Sequence, residues 1–384
     1  MHSSVFEALR LLCLGILLLA VACQPAAATP VATALAPDAK SAASAPPAAA
    51  TLPSAPSATA VAAATPAAVA PTPQAHGPRN LIVYTAPTGG LTTQDLTTHR
   101  VKTLLPASAK EFYDGPSFAP DGSRIVFVYS TFDPANNPID EIRSIDVDSA
   151  NMRTLFKSSV SPVPLYFSNP TYSADGLSIY FATLNPAVRD NKFQIVRGSA
   201  DGGRWTPVLN NAFLPAFSRD SKSMAFLRAN LTTFLPSLWL ANADGTAARE
   251  LLTDNVFLDL TGVRFTPDSK WVAFAASGPP SKKLPAAYAP AEDVCALHLL
   301  FLCLAKRAYA NGLPWEIWLA SADGKGFRQL TRLQLDSPWP AFSKDGREVA
   351  FMTYNGTFEI ERDTSRVSKL SDEGGHGTID WFQN

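Results

Sequence analysis

Five carboxylates stand in one repeated setting: Asp121, Asp175, Asp220, Asp268 and Asp345 each follow an aromatic residue by three positions and precede Gly or Ser. Brought together, such groups could ligate a metal ion or divide the work of acid and base. Kept apart, they turn the chain, because Asp accepts a backbone hydrogen bond and the next residue takes positive φ. The segments that carry them decide between these roles. "GPSFAPDGSRIVFVYS" from Gly115, "NPTYSADGLSIYFATL" from Asn169, "LPAFSRDSKSMAFLRA" from Leu214, "GVRFTPDSKWVAFAAS" from Gly262 and "WPAFSKDGREVAFMTY" from Trp339 all read as strand, tight turn, strand. Apolar residues alternate on both sides of the turn, the pattern of a half-buried hairpin. One aspartate per hairpin cannot converge with the others on a single ion or bond, so the expected role is structural. The second set of acidic turns, at Asp201, Asp244 and Asp323, reads the same way.

The hairpins are one half of a longer repeat. Between them lie segments such as "LWLANADGTAARELLT" from Leu238 and "IWLASADGKGFRQLT" from Ile317, which supply a third and a fourth strand. The aromatics Phe118, Tyr172, Phe217, Phe265, Phe342 and Phe382 are separated by 54, 45, 48, 77 and 40 residues. All but one spacing fit a four-stranded propeller blade. "GTIDWF" near the C-terminus reads as a first strand without a second, and "NLIVYTA" from Asn80 as a second without a first. Joined, they complete a blade. The expected fold is all-β: a six-bladed β-propeller over residues 78–384 whose N- and C-terminal strands close one blade and leave no open edge. Closure should lock the ends, with Trp381 and Phe382 buried and the propeller monomeric. The repeated aromatics and Ala-Phe pairs are expected to form the core between blades.

At this point the repeat, aromatic-Ser-x-Asp-Gly followed by apolar-Ala-Phe, resembles that of the TolB-like six-bladed propellers. The resemblance spans about residues 78 to 384 and implies fold more strongly than function. Some TolB-like propellers are polysaccharide lyases that hold a metal through several histidines. After residue 77 this chain has only His99, His298 and His376, in different types of element. A propeller peptidase needs a hydrolase domain with a Gly-x-Ser-x-Gly nucleophile motif, which this sequence lacks. TolB itself works with envelope partners and carries a second, N-terminal domain, where this chain has Pro and Ala. The expectation is therefore a non-enzymatic binding or scaffold propeller with no cofactor and no bound metal. The alternatives are a metal-dependent, polysaccharide-active enzyme and the propeller half of a peptidase system.

Residues 1–22 read as an export signal, with Arg10 before the apolar run "LLCLGILLLA". "LAVAC", ending at Cys23, resembles the lipobox of bacterial lipoproteins, with Ala20 where Leu is commoner. The resemblance implies cleavage before Cys23 and a lipid on its thiol, hence a chain exported and held on the outer side of a bacterial cell membrane. Residues 23–77, almost wholly Ala, Pro, Thr and Ser, cannot bury enough surface to offset the entropy of ordering and read as a disordered tether. Fully extended it would reach roughly 150 Å. With 32 basic and 33 acidic residues the chain shows no electrostatic signature of a nucleic-acid binder.

The long spacing marks an insertion at about residues 276–313. Within it, Pro290 to Gly312 reads as a helix: Glu292 and Asp293 suit its first turn, Lys306 and Arg307 its last, and Asn311-Gly312 its stop. Its apolar middle must cover the propeller, meet a partner or touch a membrane surface. Cys295 and Cys303 are a possible disulfide, yet on one continuous helix they would lie about 12 Å apart, beyond the roughly 7 Å a bridge allows. Either the segment bends between them or both stay thiols. In each blade the first strand runs away from one face, so the Asp-Gly turns lie on the far side and the insertion on the near side. The near-side entries carry Asp114, Asn169, Phe213, Asp259, Asp336, Trp339 and His376, a possible binding face for a protein or polar ligand. Read without a ligand, these are solvated loop residues.

Overall fold

The computed structural model describes residues 79–148, 151–158, 165–188, 192–278, 314–353, 355–375 and 377–384. The leader, the tether, Cys23, the helical insertion with Cys295 and Cys303, and His376 fall outside them. The described residues form 24 strands in six four-stranded antiparallel sheets, the blades of a propeller. Five blades are consecutive in sequence. The sixth joins Ile379–Gln383 to Asn80–Thr85, with Tyr84 opposite Ile379 and Leu81 opposite Phe382. Asn384 accepts from the Arg79 backbone N–H (2.6 Å) and the Trp381 indole donates to Asn80 (2.7 Å), so residues some 300 apart in sequence fasten the ring. Trp381 and Phe382 are half-buried here, because the innermost strand of a blade borders the axial opening.

The second strand of every blade contributes one fully buried aromatic: Tyr84, Phe127, Phe181, Phe226, Phe274 and Phe351. Each packs between its own blade and a neighbour, as where Phe274 meets Leu240, Phe257 and Trp318. Burying a ring of this size stabilises the fold by about 2–3 kcal/mol, so the Ala-Phe repeat is the means by which blades adhere.

The innermost strands break their regular register at one place. Between Asp114 and Ser117, Ser168 and Thr171, Phe213 and Ala216, and Thr261 and Arg264, an extra residue is accommodated as a β-bulge. The bulged residues Gly115, Asn169, Leu214 and Gly262 have φ of 60°, 51°, 55° and 61°. At Gly262 an added Cβ would lie 2.9 Å from Pro340 Cδ and 3.2 Å from Pro338 O, so the inner strands approach one another at these bulges. Gly262→Ala should therefore cost about 2–3 kcal/mol, combining a left-handed backbone with a clash. Gly89, at φ 94° with open space around it, isolates the backbone part of that cost. Urea midpoints of Gly262→Ala and Gly89→Ala compare the two, and equal losses would show that the approach of the strands adds nothing.

Candidate functional site at the propeller axis

The turn aspartates are occupied locally. Asp175 accepts from the Ser173 hydroxyl (2.6 Å) and the Leu177 N–H (3.0 Å), Asp220 from Ser218 (2.7 Å) and Lys222 (3.1 Å), and Asp345 from Ser343 (2.8 Å) and Arg347 (3.0 Å). Asp268 binds Thr266 and Lys270 likewise, while Asp121 takes both its bonds from Ser123. These bonds hold Asp175, Asp220 and Asp345 below the usual carboxylate range: for Asp175 and Asp220 the hydroxyl is the leading cause, for Asp345 the Arg347 N–H. They are turn-forming groups. Among the described residues, no group of three or more His, Cys, Asp or Glu side chains is placed to hold a metal ion.

The described near-side residues have different surroundings. Asn169 and Trp339 line a cavity of about 30 Å³ on the axis, together with Pro116, Pro170, Leu214 and Thr378. It has room for one or two waters. Asp114 stands beside Gly377, 3.2 Å from where a Cβ would be. Phe213 packs on Phe193 across to the preceding blade, with ring centroids 5.1 Å apart. Asp336 is exposed on its loop. Asp259 opens its strand opposite Ser277 and is pushed up to about 6 by burial, which its bond from the Leu260 N–H (2.8 Å) only partly offsets.

The larger opening lies at the other end of the axis. Inside the ring of Asp-Gly turns is a mouth of about 240 Å³, lined by Arg219, Arg264, Lys344, Asp380, Trp381 and Gln383 between the rings of Phe217, Phe342 and Phe382. None of the five turn aspartates lines it. Arg264 lines both this mouth and the small cavity, so a group entering here meets a floor. That floor is an ion pair between blades that are not adjacent. Arg264 Nη1 lies 3.2 Å from Asp380 Oδ1, and Arg264 Nη2 donates to the Ile379 carbonyl (3.0 Å). Asp380 Oδ2 also accepts from the Ser117 hydroxyl (3.0 Å) and the Phe118 N–H (2.8 Å). At the rim Arg219 reaches past the turn of the next blade to donate to the Lys344 carbonyl (3.3 Å).

Sequence reasoning missed this mouth, although two columns of the repeat contain it. The residue before the turn aspartate is Pro120, Ala174, Arg219, Pro267 or Lys344, and the residue before the aromatic is Ser117, Thr171, Ala216, Arg264, Ala341 or Trp381. The charged or bulky exceptions in these two columns, Arg219, Lys344, Arg264 and Trp381, line the mouth.

The sequence matches no protein-family model and no curated protein. Its structure superposes on TolB of Acinetobacter baumannii with a TM-score of 0.56 at 15% identity, over 79% of this chain and 66% of that one. The fold is that of the TolB-type propeller. This chain thus spans about two thirds of that TolB's length. A chain of the nidogen/laminin complex matches with a TM-score of 0.54 at 13% identity, over 79% of this chain and 97% of that one. The tricorn protease matches with a TM-score of 0.52 at 13% identity, over 78% of this chain and 27% of that one. At such identities the likeness carries architecture alone.

Proposed function

We propose that this protein is a non-enzymatic binding module: an exported chain, lipid-anchored through Cys23 to the bacterial cell membrane, that holds a propeller on its Ala/Pro/Thr-rich tether and presents the propeller axis to a protein or polar ligand. The observation that carries this reading is the mouth of about 240 Å³, whose one carboxylate among the lining residues is already engaged. Asp380 faces two N–H or O–H donors and a guanidinium, so its lone pairs are committed to holding the floor and not to taking a substrate proton. Open concave space with aromatic walls and uncommitted cations at the rim suits recognition. The near-side loop face supports the reading less, because only Asn169 and Trp339 of its proposed residues line the axis cavity.

Two measurements on the full chain in its own cell envelope test this. Cys23→Ser is expected to move the protein from the membrane fraction to the soluble one; unchanged membrane retention would overturn the lipid anchor. A photo-cross-linking residue at Gln383, at the mouth, should give a discrete adduct that one at Val101, exposed on an outer strand, does not. No adduct from position 383, or the same adducts from both positions, would count against an axial binding face.

A further inference from the structure

The charge of the mouth is out of keeping with the protein. The whole chain carries a net charge of −1, whereas the mouth lining holds three cations against one carboxylate. Arg264 is neutralised by Asp380. Arg219 and Lys344 are exposed, and the acids beside them in sequence look elsewhere: Asp220 lies 3.9 Å from Lys222 and Asp345 lies 3.5 Å from Arg347. The Arg219 guanidinium makes one bond to the Lys344 carbonyl, which keeps both cations on the same arc of the rim and leaves most of the guanidinium donors for another acceptor.

From this we propose that the far-face mouth binds carboxylate side chains of an acidic peptide, an inference that rests on the binding-module reading above and gives its ligand a chemistry. A carboxylate at the rim meets a planar guanidinium that can bond it with two parallel N–H groups, and an ammonium that adds charge. A phosphate would favour converging backbone N–H groups. Those at the rim are taken: the Lys344 N–H donates to Gln383 (3.0 Å), the Arg219 N–H to the Ser269 hydroxyl (3.3 Å) and the Ala174 N–H to the Ser221 hydroxyl (2.7 Å). Arg264 and Asp380 form the floor of the mouth, against which side chains of the ligand would enter. Phe217, Phe342 and Trp381 offer the walls against which an apolar neighbour of the acid would lie. In a near-neutral protein, a local excess of positive charge in a concave site also steers an anion towards it.

The test is calorimetric titration of the full chain with the capped peptide Phe-Glu-Glu and its neutral isostere Phe-Gln-Gln. The acidic peptide should bind, and the neutral one at least about tenfold more weakly. Binding should weaken several-fold as NaCl rises from about 0.05 to 0.3 M. The double variant Arg219→Gln/Lys344→Gln should lose at least about tenfold in affinity, while Arg219→Lys/Lys344→Arg, which keeps both charges but moves the guanidinium, should lose less than the Gln variant. Both variants alter exposed side chains, and an unchanged melting temperature checks that they fold. Failure of the acidic peptide to bind, equal binding of the two peptides, unaltered binding by the Gln variant, or displacement of the peptide by an equal concentration of inorganic phosphate would each overturn the proposal. A Gln383 cross-link that persists in the Gln variant would leave the binding module standing and remove only this account of its ligand.

Discussion

Asp380→Ala is expected to lower the stability of the propeller by about 3 kcal/mol, read as a lower urea midpoint with an unchanged slope. The residue closes the ring from inside. Its two oxygens hold the Ser117 hydroxyl, the Phe118 N–H and Arg264, which belong to two other blades. Both side chains of the pair are largely shielded, at 24% and 16% exposure, so removing the carboxylate leaves a poorly solvated guanidinium and two donors without an acceptor. The partial exposure of Arg264 keeps the loss towards the lower end of the range for buried pairs. Arg264→Ala is less damaging, since Asp380 keeps two of its three donors. The double variant should then be less destabilised than the sum of the singles, by about 1–2 kcal/mol. Strict additivity would mean that the two groups share a mouth without supporting each other.

The fold could be read from the sequence because each blade states it independently. A hairpin is declared by turn chemistry and by the alternation of side chains, and five such statements in order leave little freedom. The fragments at the two ends of the chain then supplied the sixth blade, and the pairing of Leu81 with Phe382 is the closure they implied. The site was harder for a reason visible in the inner strands. A bulge inserts one residue and shifts the phase of the strand, so counting by twos from the near-side loops does not tell which side chains face the axis. Asn169 was found because it lies at a bulge, and Trp339 because it lies before an inner strand that pairs only at Ala341 and Phe342. Arg264 lies after the bulge in its own strand and looks like an ordinary strand residue, and Arg219 and Lys344 look like the solvated variable position of a turn. Loop membership grouped Asp114, Asp259 and Asp336 together, but among the described residues no three such carboxylates are placed to hold a metal ion.

Among these acids, Asp259 is the one whose burial has the largest consequence. It stands at the start of its inner strand, opposite Ser277, whose hydroxyl is buried without a hydrogen-bond partner. Burial favours the neutral acid and takes its pKa from 3.8 up to about 6. The sign follows from proton linkage. In the unfolded chain the group ionises near its ordinary value, so between about pH 4 and 6 the folded form binds the proton more tightly. The stability this provides is complete below about pH 4 and is lost as pH rises through about 6. Asp259→Asn cannot ionise and should not share that loss. It is expected to be about 3 kcal/mol more stable than the parent at pH 8, with the difference shrinking towards zero below about pH 4. The turn aspartates act with the opposite sign, because their depressed pKa values give stability that is present above about pH 4 and lost on further acidification. The parent should therefore be most stable near pH 4, and the Asn variant should hold that stability to higher pH. Urea midpoints of both proteins across this range measure the effect, and a difference as large at pH 5 as at pH 8 would show that Asp259 is already ionised in the folded protein at the lower pH.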